Sequence, residues 1–128
     1  QGYLLVAPTD YQATSGGMQE GTAYTKGDYE KQVKTNLETQ AVIDQVVTYI
    51  TSHNYKDFPT VVALVEDATD QLTRAQGARE KSEAAAKKGD WQNAMLWANQ
   101  WWQYQVKTAD LGLRAKNALE ENGARKVK

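Results

Sequence analysis

Gly89-Asp90-Trp91-Gln92-Asn93-Ala94-Met95-Leu96-Trp97-Ala98-Asn99-Gln100-Trp101-Trp102-Gln103-Tyr104 holds all four tryptophans of a chain of 128 residues. The glycine suits the end of one helix and the aspartate caps the next. Apolar residues then recur at spacings of three and four, the helical period. Two adjacent stripes continue from this stretch. One is Trp97, Trp101, Tyr104, Leu111, Ala115 and Ala118, and the other is Trp91, Met95, Ala98, Trp102, Val106, Ala109 and Leu113. A helix with so wide an apolar face needs two neighbours. The pattern predicts a helix from about Trp91 to Asn122, ended by Gly123.

Upstream of the turn, Val61, Val65, Ala68, Leu72, Ala75, Arg79, Ser82 and Ala86 alternate by four and three, a heptad seam. This helix is expected from about Pro59, a residue suited to a first helical position, to Lys88. Its second half is nearly all small. If the hairpin turns near residue 89, facing positions sum to about 178. The small half then receives the tryptophan half, with Trp101 opposite Gly77 between Ala75 and Ala78. Large-to-small complementarity of this kind makes a dense core. On this register Gly77→Leu should overpack against Trp101 and cost about 1–3 kcal/mol.

Further upstream, Tyr29, Val33, Leu37, Gln40, Ile43, Val47 and Ile50 form a stripe widened by Val42 and Val46. They predict a first helix from Asp28, read as its N-cap after Gly27, to about Ser52. Lys26-Gly27-Asp28-Tyr29 and Lys88-Gly89-Asp90-Trp91 read as one capping solution used twice. Residues 1–27 read as an extended arm. Tyr3 to Ala7 can form a short strand, and Pro8 with the glycines at 16, 17, 21 and 27 prevents a long helix. The expected architecture is therefore all-α: an up-down-up three-helix bundle over residues 28–128 with an N-terminal arm over 1–27.

Composition narrows the function. Fifteen basic against sixteen acidic residues give a net charge of -1, with no bias toward nucleic acid or anionic membranes. No apolar run approaches the roughly 20 residues needed to span a bilayer. Without cysteine there are no disulfides and no thiolate chemistry. The start at Gln1 suits a chain left by signal-peptide removal, as it would any other trimming, so export to periplasm, envelope or medium is expected.

Catalytic motifs are scarce. Gly16 and Gly21 have phosphate-loop spacing, but Thr22 stands where lysine is needed. Serines occur only at 15, 52 and 82, none in a nucleophile elbow. His53, the sole histidine, reads as a surface loop residue, with haem ligation as the functional alternative. Ile50 stands three residues before it, where a di-iron bundle carries glutamate. Glu66, Asp67 and Asp70 can bind a hard cation. The i,i+4 pairs Asp70–Arg74, Glu83–Lys87 and Asp110–Arg114 favour a solvated face instead. The reading is of no enzyme, no cofactor and no metal.

The aromatic cluster admits core packing, a partner interface or a groove for a small hydrophobic ligand such as lipid, pigment or haem. Successive tryptophans point about 100° apart on a helix, so Trp101 and Trp102 are not expected both to be buried. The surplus ring favours a partner. Candidate partner-binding residues are Trp97, Trp101, Trp102 and Tyr104, together with Tyr3, Leu4, Leu5 and Val6 of the arm. That apolar run can act as an added strand or as a plug between helices.

The run Ala78-Arg79-Glu80-Lys81-Ser82-Glu83-Ala84-Ala85-Ala86-Lys87-Lys88-Gly89-Asp90-Trp91-Gln92-Asn93-Ala94, then Ala98 and Thr108-Ala109-Asp110-Leu111, resembles a family of small bacterial envelope lipoproteins. Those are alanine-rich helical hairpins with Ala-Arg-x-Lys and Gly-Asp-aromatic patterns. The resemblance covers residues 58–122. This chain departs from the family in lacking a lipidated cysteine and in its tryptophan density and arm. The resemblance implies an envelope location and no defined activity. Together these observations point to a structural or accessory subunit of an exported assembly, fibres included, whose arm docks on a neighbour. The alternative is a binding module with a hydrophobic ligand in an aromatic groove.

Overall fold

The computed structural model describes residues 23–127. Three long helices, α1 (Lys26–Thr51), α2 (Pro59–Lys87) and α3 (Trp91–Glu121), form an all-α, up-down-up bundle. A 3₁₀ turn, Tyr55–Asp57, joins the first two. Among the described residues the one β pairing is an isolated bridge between His53 and Lys126.

Chemistry at the helix ends sets these boundaries. Gly89 and Gly123 adopt φ of 73° and 66°, a left-handed conformation natural to glycine. Behind each, two amides turn back onto the helix it terminates. Gly89 N–H donates to Ala86 O at 2.9 Å and Asp90 N–H to Ala85 O at 3.0 Å. Gly123 N–H donates to Glu120 O at 3.2 Å and Ala124 N–H to Leu119 O at 3.0 Å. This Schellman pattern satisfies carbonyls that would otherwise be left without donors. Asp90 closes α2 with its amide and opens α3 with its carboxylate, which accepts from Asn93 N–H at 3.2 Å.

The start of α1 differs from the sequence expectation. Its N-cap is Thr25, whose hydroxyl accepts from Asp28 N–H at 3.2 Å. Asp28 is the third helical residue, and its carboxylate accepts from Thr25 N–H at 3.0 Å. This reciprocal capping box puts Gly27 inside the helix. The two Lys-Gly-Asp-aromatic runs are therefore not one device used twice. The solution that recurs is the glycine stop at 89 and 123. Residues 23–25 also belong with the bundle, because Tyr24 is buried against Met95.

Helix α3 is the centre of the molecule, as its double stripe requires. Both α1 and α2 pack along it, whereas α1 and α2 hardly touch each other. The hairpin register is close to that predicted. Lys81 Nζ lies 4.3 Å from the centroid of the Trp97 ring, and the Arg79 guanidinium 5.0 Å from that of Trp101. Trp101 packs with Ala75, Ala78 and Ala98. Gly77 does not face it, since a Cβ there would meet nothing within 4 Å. The expected overpacking of Gly77→Leu is thereby overturned.

The phase of α1 also departs from expectation. Its buried residues are Asn36, Thr39, Ile43, Val46 and Ile50, while Leu37 and Val47 are 46% and 44% exposed. A polar seam explains the shift. Asn36 Nδ2 donates to Ala98 O at 2.9 Å, and Gln105 Nε2 donates to Asn36 O at 3.0 Å and to Gln40 Oε1 at 3.2 Å. Trp102 Nε1–H donates to the Thr39 hydroxyl at 3.2 Å, and that hydroxyl donates to Thr35 O at 3.0 Å. Buried polar groups are tolerated when they are paired in this way, and of this seam Gln105 Oε1 is left without a partner among the described residues. Gly112 assists below the seam, where a Cβ would lie 3.0 Å from Val46 Cγ1 and keep the helices apart.

Candidate docking groove

Of the stripe read along α1, Ile43, Val46, Val47 and Ile50 border the space between α1 and α2. Because those two helices splay, Val47 meets an open space among the described residues instead of a helix. The result is a groove of about 260 Å³, walled by Ile43, Val46, Val47 and Ile50 of α1 and by Val65, Ala68, Thr69 and Leu72 of α2. Its floor is Thr108, Ala109 and Gly112 of α3, and Tyr55 and Thr51 stand at one end. Among the described residues no charged side chain lines it. Val65, Ala68 and Leu72 are only half-buried, although they occupy the heptad seam of α2. They are core-type residues without a full complement of core.

The aromatic residues are placed elsewhere. Trp101 and Trp102 are 2% and 1% exposed, so the bundle buries both rings. The expectation of a surplus ring fails because the two indoles serve different neighbours. Trp101 enters the small-residue half of α2, and Trp102 reaches α1 and hydrogen-bonds Thr39. Trp97 and Tyr104 are half-buried beside the same alanine cluster, and Lys107 Nζ lies 5.6 Å from the Tyr104 ring centroid. Trp91 stacks obliquely on Tyr29 with centroids 5.8 Å apart, tying the start of α1 to that of α3. The groove is aliphatic, and no tryptophan lines it. Tyr3, Leu4, Leu5 and Val6, with the strand expected over residues 3–7, lie outside the described residues.

His53 is buried at 8% exposure, not a surface loop residue. Its Nδ1 donates to the Tyr49 carbonyl at 2.6 Å, and its ring stacks on Tyr49 with centroids 4.1 Å apart. The C-terminal tail covers this corner. Asn54 N–H donates to Arg125 O at 2.9 Å, and Val127 N–H donates to Ser52 O at 2.7 Å. Partial burial, followed by the charge and hydrogen bond of Glu120, holds the Tyr49 phenol above its ordinary pKa. Lys116 Nζ lies 5.1 Å from that ring's centroid. These contacts make the corner a fastening of the tail.

Glu66, Asp67 and Asp70 are exposed on α2, and Asp70 pairs with Arg74 Nε at 3.1 Å. Asp110 pairs with Arg114 at 3.2 Å, while Glu83 turns to Arg79 at 3.1 Å instead of Lys87. Among the described residues no three His, Asp or Glu side chains gather as a metal site would require. None of the described helices is long and apolar enough to cross a membrane.

The fold and groove define a class: a helical bundle with an incomplete apolar seam. Searches of protein-family models, of curated proteins and of solved structures find no match to this chain.

Proposed function

We propose that this protein is a non-enzymatic structural or accessory subunit of an exported, cell-envelope assembly, fibres included, in which the N-terminal arm of one subunit docks on a neighbour. The observation that carries the reading is the open groove between α1 and α2. Two helices with apolar flanks ordinarily close on each other or accept a third element. An apolar strip left open by the described residues of an otherwise packed bundle is a surface that a partner segment can cover. The resemblance of residues 58–122 to envelope lipoproteins supports the location.

The ligand-binding alternative needs an aromatic groove, whereas this groove is lined by no tryptophan and is modest in size. Pockets for drug-sized molecules run to about 300–1,000 Å³, and a haem or pigment needs such a space. At about 260 Å³ this groove suits a few aliphatic side chains. Sedimentation velocity of the full chain across a concentration series tests the reading. Assembly should grow with concentration, and the full-length Leu4→Asp/Leu5→Asp variant should remain a folded monomer. A wild-type chain that stays monomeric throughout, or a variant that assembles equally well, would refute it.

A further inference from the structure

The geometry points to a specific donor and acceptor: Tyr3-Leu4-Leu5-Val6 of one copy seats in the α1–α2 groove of the next copy. This rests on the assembly reading above and names its receptor.

Three observations carry the match. The first is chemical. Outside the described residues, the one strongly apolar run is Tyr3 to Ala7, and it carries no charge. The groove is lined by Val, Ile, Leu and Ala with three threonines, Tyr55 and Gly112, and none of the described residues lining it is charged. Neither partner would leave an ion buried and unpaired, the costly error in an apolar contact.

The second is size. A cavity of about 150 Å³ accommodates benzene, so about 260 Å³ admits the side chains that one face of a short strand presents. Alternate residues of an extended peptide share a face. Leu5 and Tyr3 therefore enter together, or Leu4 and Val6.

The third is placement. The described chain starts beside Met95, at the hairpin end of the bundle. The groove lies in the other half, around Val47 and Leu72. From Lys26 to Val47 is twenty-one residues of helix, or roughly 32 Å at 1.5 Å per residue. From Val6 to Ala23 is seventeen residues, which reach at most about 56–61 Å. The intervening segment is rich in Gly, Thr, Ser and Gln, and its reach covers the groove of a neighbouring copy as well as its own. A donor run tethered through Tyr24 at one end, seated in the opposite half of a neighbouring copy, makes a head-to-tail contact. Such a contact is heterologous and propagates into rings or filaments.

The absence of cysteine makes the test clean. One full-length copy carries Leu5→Cys and another, with a tag of different size, carries Val47→Cys; a short bis-maleimide is then added to the mixture. Val47 is substantially exposed, so the fold tolerates the change. The expected result is a mixed-size dimer, several-fold more abundant than with Glu83→Cys as the second copy. A synthetic peptide of residues 1–7 should suppress it. If the mixed dimer stays at the Glu83→Cys level while Leu4→Asp/Leu5→Asp still abolishes assembly, the receptor lies elsewhere. In that case the inference fails and the assembly reading stands. If a chain carrying both cysteines closes only on itself, the arm is a lid of its own bundle and the inference fails. Suppression by palmitate but not by the peptide would assign the groove to an aliphatic ligand and overturn the docking.

Discussion

Two helical glycines show how far neighbours decide the value of one residue. Gly77 lies in α2 with nothing within 4 Å of where a Cβ would sit. Its missing side chain serves no close approach, and glycine in a helix interior costs up to about 1 kcal/mol relative to alanine. Gly77→Ala should therefore raise stability by up to about 1 kcal/mol in urea unfolding. Gly77→Leu should be tolerated as well. Gly112 is the opposite case. A Cβ there would sit 3.0 Å from Val46 Cγ1. Val46 is β-branched and nearly confined to one rotamer in a helix, so it yields little. Gly112→Leu should cost about 1–3 kcal/mol through overpacking. Equal melting temperatures for the two leucine variants would contradict this assignment. Sequence alone set Gly77 against Trp101, because summing positions across a hairpin locates a neighbourhood without resolving which way a Cα–Cβ bond points.

Among the elements, the hairpin was legible and the placement of α1 only in part. Gly89-Asp90 carries its signal locally, in a backbone only glycine readily adopts and a side chain that caps the next helix. The alanines and serine of α2 opposite the tryptophans of α3 then fix the pairing. Helix α1 is held by the expected Ile43, Val46 and Ile50 and also by Asn36, Thr39 and Gln105, residues that a reading by apolar periodicity assigns to water. Their burial depends on partners more than sixty residues away in the chain, so no local pattern reveals it. The groove was illegible for a related reason. Val47 looks like part of a core stripe until the splay of α1 from α2 is known. The capping box at the start of α1 offers a test within this element. Thr25→Ala removes the acceptor for Asp28 N–H and should cost about 1 kcal/mol. Thr25→Ser should restore most of it, since the hydroxyl oxygen is retained. If Thr25→Ala leaves the urea midpoint unchanged, Thr25 is not the cap.

For the whole molecule, the proposed contact is almost purely apolar, and that governs its response to solution conditions. The net charge is -1, so neighbouring copies repel one another weakly at any salt concentration. Neither the groove nor Tyr3 to Val6 contains a charged group, so docking does not depend on ion pairs that salt would screen. At about 1 M ionic strength the Debye length falls to about 3 Å, which erases contacts held by surface charge. Assembly should survive that change, and sulfate should strengthen it, because excluded salts favour the burial of apolar surface. Cooling acts the other way. Hydrophobic stabilisation weakens at low temperature, so the assembled fraction should fall between room temperature and the cold while the helical signal of each subunit persists. Light scattering and circular dichroism, recorded together through a salt series and a cooling ramp, read both quantities. Dissociation by sodium chloride alone, or tighter assembly in the cold, would show that charge or polar contacts hold the subunits together. The groove would then be idle in assembly.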